Sequence, residues 1–476
     1  MGDRVIFSDF AHEPPEPPLT RWFSPRAPYV GARWFFLRAL GLIFFSAFYS
    51  LWFQIHGLIG ARGILPVSEY LPLAKRATGA KAYWFIPSLL WINASDAALT
   101  ILVVAGMLVS IALTINLFPR TSIAIAMLCF LSFVAAAQDF SSYQSDGMLL
   151  EAAFLSLFLG RKHQRPSYAA IFLLRWEWFR IYFESGLVKI LSGEEQWRNL
   201  TAMDKYYENG PLPTFLGWHV QQLPHSFHAA TAAITLITEL FVVWLMFVPS
   251  RRVRLGLFIA TSLLQIGIIV TANYAFLNYL VLVLGFLLVE DVRPHLSLST
   301  KPSYVQAVVL TAHLVTTTLM FFWTGFPTAQ LLSPTRIVNN YGLFAVMTRE
   351  RYEVEFQGTR DGTTWIAYPF RHKPQNPNEA PRIYAPYQPR FDWNLWFASL
   401  GTVSDNTWVI NVEERLLENS PAVLRLFRSN PFPGKPPVAV RAVVWQYWFT
   451  TREERAKTGA WWNRRALGEY APQLPQ

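Results

Sequence analysis

Apolar runs of bilayer length, separated by short polar stretches, fill residues 33–323 and then stop. The clear runs are Trp34–Phe53, Ala97–Phe118, Ser122–Ala137, Ala229–Val248, Val253–Thr271, Tyr274–Val289 and Tyr304–Trp323. A run of roughly 20 apolar residues matches the hydrocarbon thickness of a membrane when it folds as a helix. Two weaker runs join them: Leu149–Leu159 is short, and Tyr168–Leu191 is long but interrupted by charge. About nine spans are therefore expected.

After residue 323 the period changes. Arg351–Phe356 alternates as a strand, and Thr363–Phe370 is placed to pair with it across Arg360-Asp361-Gly362. Asp-Gly between two such runs is a hairpin signal. Val438–Phe449 reads as a further strand, while Phe391–Leu400 and Trp408–Phe427 carry helical spacing. The expected fold is a polytopic α-helical membrane protein with a C-terminal α+β, β-rich extramembrane domain. Its parts are a polar N-terminal lead (1–32), a multi-pass domain (33–323) with far-side loops at 54–96 and 192–228, and a C-terminal domain (324–476). The 192–228 loop is far longer than the usual connection of about 4–6 residues, so part of it should pack as structure at the membrane surface.

Composition agrees: 52% of residues are hydrophobic and 15% charged, against about 25% charged in soluble domains. A net charge of +10 would suit nucleic acid, but its distribution argues otherwise. The basic residues sit in alternate short loops: Arg120; Arg161, Lys162 and Arg165; Arg251, Arg252 and Arg254; Arg293 and Lys301. With nine spans and a cytoplasmic N-terminus, all four loops face the cytosol, the positive-inside arrangement. The expected partners are therefore lipid and protein, with no nucleic acid, and residues 324–476 are expected in the lumen or periplasm. The single cysteine, Cys129, lies in a span, leaving no disulfide or redox pair within one chain. No small-residue cleavage site follows the first run, so it reads as a retained span.

Candidate chemistry concentrates on the charged helix. Arg175, Glu177, Arg180, Glu184 and Lys189 lie within one apolar run, and ionisable groups there face a cavity or one another. Glu177, Arg180 and Glu184 share a stripe at i, i+3 and i+7 and are able to pair. They form either a polar pocket or, the more common case, an ion network that fixes packing. Asp146 before Gly147 reads as a helix N-cap. His219, His225 and His228 lack metal-ligand spacing, and no nucleophile elbow, phosphate loop or dinucleotide fingerprint occurs. Neither a metal nor a cofactor is expected. Asn93-Ala-Ser and Asn199-Leu-Thr are glycosylation sequons on far-side loops. Trp393, Trp396, Trp408, Trp445, Trp448, Trp461 and Trp462 crowd the C-terminal domain, more as core than as an exposed client-binding patch.

One ordered series of short motifs carries a resemblance. It runs from Ser185-Gly-Leu-Val-Lys189 through Trp197-Arg198-x-Leu200-Thr201-x-Met203, Tyr206-Tyr207-Glu208 and Pro211-x-Pro213. Leu223-Pro224, Phe227-His228, Glu239-Leu240 and Asn273-Tyr-Ala-Phe-Leu-Asn278 follow. Next come Asn340-Tyr341-Gly342-Leu-Phe344, Thr348-Arg349-Glu350-Arg351-Tyr352-Glu353, Pro389-Arg390-x-Asp392-Trp393 and Asn430-Pro-Phe432-Pro433. The series resembles the lipase maturation factor family across about residues 140–465. The resemblance implies a protein of the endoplasmic reticulum membrane that helps secreted lipases or related hydrolases reach an active fold, with the C-terminal region associated with the client. The family's animal members carry lumenal cysteines that this chain lacks. That departure, with the compact length and short N-terminus, points to a bacterial relative, whose membrane would be the inner one.

The residues expected to bind the client or carry the family motif are Trp197, Arg198, Tyr206, Tyr207 and Glu208 in the loop. Tyr341, Arg349, Arg351, Tyr352, Asp392 and Trp393 complete the set in the C-terminal domain. Docking of the loop on that domain is the structural alternative for each. No catalytic residue is required, because shielding apolar surface suffices to suppress misassembly. The competing reading is a membrane enzyme that uses the Arg175–Lys189 cluster on a lipid or a lumenal protein.

Overall fold

A computed structural model describes residues 30–141, 143–159, 166–289, 303–323 and 325–475. Most of the polar lead lies outside the described residues, as do the basic loop residues Arg161, Lys162, Arg165, Arg293 and Lys301.

The helical half is built from α1 (Val30–Ile59), α2 (Asp96–Thr114), α3 (Pro119–Ala136), α4 (Gln144–Ser156), α5 (Tyr168–Leu191), α6 (His225–Leu240), α7 (Arg251–Thr271), α8 (Leu277–Gly285) and α9 (Tyr304–Leu319). Five stretches are long and apolar enough to cross a membrane: α1, α2, α3, α7, and α6 continued by a 3-10 turn to Phe247. The other four expected spans form α4, α5, α8 and α9, which are shorter or carry charge. Burial explains the difference for α4 and α5. Nearly every residue of α4 is buried, as is most of α5, so their neighbours are protein rather than lipid, and charge is tolerated there if paired. The outer helix α7 does the opposite, exposing Leu255, Ile259, Leu263 and Ile266.

The C-terminal domain is a four-stranded antiparallel sheet in the order β2-β1-β3-β4, with β1 Arg351–Thr359, β2 Trp365–Ala367, β3 Ala439–Phe449 and β4 Trp462–Pro475. The expected hairpin forms, with Gln357 opposite Ala367. Its turn is closed by Asp361, whose Oδ1 accepts from the amides of Thr363 and Thr364 at 2.8 and 2.7 Å. Gly362 takes a φ of +76° that a side chain would resist. Strand β4 has no counterpart in the sequence reading. It is an edge strand exposed over residues 464–469, so it lacks the apolar alternation that marks a half-buried strand.

Helices α10 (Arg390–Ala398) and α11 (Trp408–Leu417) pack beneath the sheet. The helix expected over 408–427 is interrupted after α11, because Asn419 adopts a left-handed φ of +53° and Ser420 precedes a proline. Most contacts from the sheet, its helices and their loops fall towards one end of the bundle. They involve Gln54 near the end of α1, Asp146 at the start of α4 and Asn273 just after α7. Arg120 and Arg251 stand at the opposite ends of α3 and α7.

Candidate functional site

The charged residues of α5 meet partners from four other segments. Arg180 donates from Nη1 to Glu151 of α4 at 2.7 Å and from Nε to Glu184 at 3.0 Å, and its Nη2 bonds the Asn339 carbonyl. Glu151 also accepts from Tyr341 Oη at 2.7 Å and Asn339 Nδ2 at 3.0 Å, with His313 Nε2 of α9 at 3.2 Å. The second oxygen of Glu184 accepts the Tyr341 amide at 2.6 Å. Of the expected stripe, Arg180 and Glu184 pair, whereas Glu177 is left out. Both its oxygens are buried without a hydrogen-bond partner among the described residues.

One helical turn further on, Lys189 donates to both oxygens of Glu239 in α6, at 2.9 and 2.7 Å. Gly186 permits that approach, since a Cβ there would lie 2.8 Å from the Cβ of Glu239. Arg175 donates to the Met246 carbonyl at 2.8 Å. The cluster therefore binds α5 to its neighbours and to the 336–343 segment that leads into the C-terminal domain.

A second set of charges joins the long loop to the sheet. Arg351 of β1 donates to the backbone carbonyls of Glu208, Gly210 and Pro211 and pairs with Glu353, which also holds Lys373 at 2.8 Å. Glu208 accepts the Phe449 amide of β3 at 3.0 Å and Lys205 at 2.8 Å. Trp197 donates to the Phe344 carbonyl at 2.9 Å, and Trp396 to that of Asn209 at 3.0 Å. Between α4 and α10, Arg390 makes a bidentate pair with Asp146 at 2.8 and 2.7 Å. Asp146 is thus not the expected N-cap: α4 begins two residues earlier, and its carboxylate serves Arg390 instead. Asp392 fixes the loop before α10, accepting from His372 Nδ1 at 3.0 Å and from the amides of His372 and Lys373 at 3.3 Å each.

Most residues singled out from the sequence are therefore buried: Trp197, Tyr206, Tyr207, Glu208, Tyr341, Arg351, Asp392 and Trp393. Arg198 and Arg349 are exposed and Tyr352 is half-buried. Beside them lies a groove of about 480 Å³ between the 342–346 segment and α10. Val346 and Phe397 on its walls are 66% and 46% exposed, with Trp396 and Trp408 deeper in. Neither Val346 nor Phe397 bears polar chemistry, so nothing in residue type marks them. Arg390 and Glu239 fall within the motifs that carried the resemblance, and only their placement reveals their partners. No group of acidic, histidine or cysteine residues suited to a metal occurs among the described residues.

Family models match most of the chain: the lipase maturation factor transmembrane domain over residues 31–295, and the lipase maturation factor C-terminal domain over residues 337–472. The chain belongs to the lipase maturation factor family. It is 31% identical to lipase maturation factor 1 of Bos taurus, over 92% of this chain and 88% of that protein. Identity to lipase maturation factor 2 of Gallus gallus is 29%, over 94% and 81%. Lipase maturation factor 1 of Homo sapiens matches at 29%, over 97% and 91%. These vertebrate relatives lend no support to the bacterial origin expected from the low cysteine content. No solved structure matches. The Arg180 cluster holds Asn339 and Tyr341, which open the family's C-terminal domain. With its apolar helices, this family member is a multi-pass membrane protein.

Proposed function

We propose that this chain is a membrane-anchored maturation factor for a secreted lipase, seated in the endoplasmic reticulum membrane with residues 324–476 in the lumen. Family membership supports the lipase client. The orientation is supported by the separation of the C-terminal domain from Arg120 and Arg251 across the bundle, since basic ends favour the cytosol. Buried members of the motif set act by locking the loop to the domain, while Arg198, Arg349 and Tyr352 are free to touch a client.

The observation that carries the reading is the apolar groove beside α10. Its exposed Val346 and Phe397 are held on a domain that is rigidly joined to the bundle. Such a surface shields apolar groups of an assembly intermediate without covalent chemistry. No observation favours the enzyme alternative: Arg180 and Lys189 are fully engaged by carboxylates.

The test is coexpression with lipoprotein lipase in cells that lack their own maturation factor. Val346→Glu with Phe397→Glu should reduce the specific activity of secreted lipase at least fivefold, with the factor's level unchanged. Full activity with that pair of substitutions would refute the groove as the client surface.

A further inference from the structure

A second cavity of about 480 Å³ opens where α1 leaves the bilayer and meets the C-terminal domain. One wall belongs to the span: Trp52 and Phe53, 45% and 52% exposed, with Val103 of α2 behind them. The other wall comes from the C-terminal domain and sets Arg371 and Arg425 among Tyr387, Phe391 and Leu426. Arg371 donates from Nε to the Arg425 carbonyl at 3.0 Å, which sets the two residues side by side. Both are exposed, and neither makes an ion pair among the described residues. The one carboxylate on this wall, Asp392, is already occupied by His372 and by two backbone amides.

The cavity thus joins two unpaired guanidinium groups to an aromatic, lipid-facing helix surface. Guanidinium forks match phosphate oxygens in shape and charge, and aromatic side chains settle at the headgroup level of a bilayer. We propose that this cavity holds the phosphodiester headgroup of an anionic glycerophospholipid, whose acyl chains lie along the exposed aromatic face of α1 at Tyr49, Trp52 and Phe53. The inference goes beyond lipase maturation and rests only on α1 as a membrane span. A bound lipid here would cover the seam between the two halves of the molecule.

The experiment uses the full-length protein purified in detergent and native mass spectrometry. Added dioleoyl phosphatidylglycerol should give one retained lipid per chain. Arg371→Ala with Arg425→Ala should lower that occupancy at least tenfold, while Arg371→Lys with Arg425→Lys should keep it within about twofold. Diolein, which lacks the phosphate, should not be retained by the unaltered protein, and millimolar inorganic phosphate should not displace the phospholipid. Equal retention in the alanine variant overturns the proposal, as does equal retention of diolein. Displacement by phosphate alone would identify a free-anion site and overturn it too. The last two arms use the unaltered protein, so they decide the matter even if the alanine variant fails to fold.

Discussion

The α5 cluster and the groove beside α10 arrange their groups in opposite ways. In the cluster, residues with the greatest chemical potential are sealed: Arg180 and Glu151 are fully buried, and every guanidinium nitrogen of Arg180 is bonded. At the groove, unremarked apolar residues stand open. A charged residue inside the membrane domain therefore marks a joint here, whereas the proposed client surface is built of ordinary side chains left exposed. This assignment can be broken from either side.

The largest effect should come from Arg180→Met. It leaves Glu151 and Glu184 buried without their cation, a change that costs about 3–5 kcal/mol, a large share of a typical stability of about 5–15 kcal/mol. The amount of folded protein extracted from membranes should collapse. Normal yield with lost lipase maturation would instead make the cluster part of the activity. Arg390→Met should cost about 3 kcal/mol, somewhat less because Asp146 lies in the first turn of α4, where the helix dipole still favours a negative charge. Limited proteolysis should then cut between bundle and C-terminal domain sooner than in the unaltered protein.

What was legible in the chain follows from the same contrast. Apolar length identified α1, α2, α3, α6 and α7 because lipid demands continuous apolar surface, and Asp361-Gly362 placed the hairpin because its turn needs those two residues. Periodicity overlooked β4, whose exposed edge position imposes no alternation. The partners of Arg180 and Lys189 were invisible for another reason. Glu151, His313, Asn339 and Glu239 come from distant segments, and a single sequence holds no signal for which carboxylate faces which cation. Val346 and Phe397 were hidden because only the tertiary arrangement leaves them uncovered.

A smaller effect separates the two halves by pH. Glu413 of α11 lies under the sheet with neither oxygen hydrogen-bonded among the described residues. Burial, offset only in part by the nearby Ala442 amide and reinforced by the charges of Glu414 and Glu469, pushes its carboxyl up to about 8. Its folded-state value lies above the usual 4.5, so the folded state holds a proton that the unfolded chain has released. Stability from this group is complete below about pH 4.5 and falls as pH rises towards 8, by at most about 1.4 kcal/mol per unit. Glu413→Gln should flatten that slope in thermal unfolding between pH 5 and 8. An unchanged slope would mean that Glu413 is ionised and paired after all.

The smallest change is the most discriminating, because its two readings share a gain in stability and part only on lipase maturation. Glu177 is the one member of the α5 stripe that Arg180 does not reach, and its carboxyl group is buried without a hydrogen bond among the described residues. An unsatisfied buried polar group is a net cost, so Glu177→Met should raise stability by about 1 kcal/mol and move the thermal midpoint up by a few degrees. Lipase maturation should be unchanged. If the cluster were instead a reaction centre, this unpaired carboxyl would be its natural acid or base. The stabilised variant would then accumulate normally and mature no lipase. A higher midpoint with full activity leaves the charges of α5 as structural joints and returns attention to the groove.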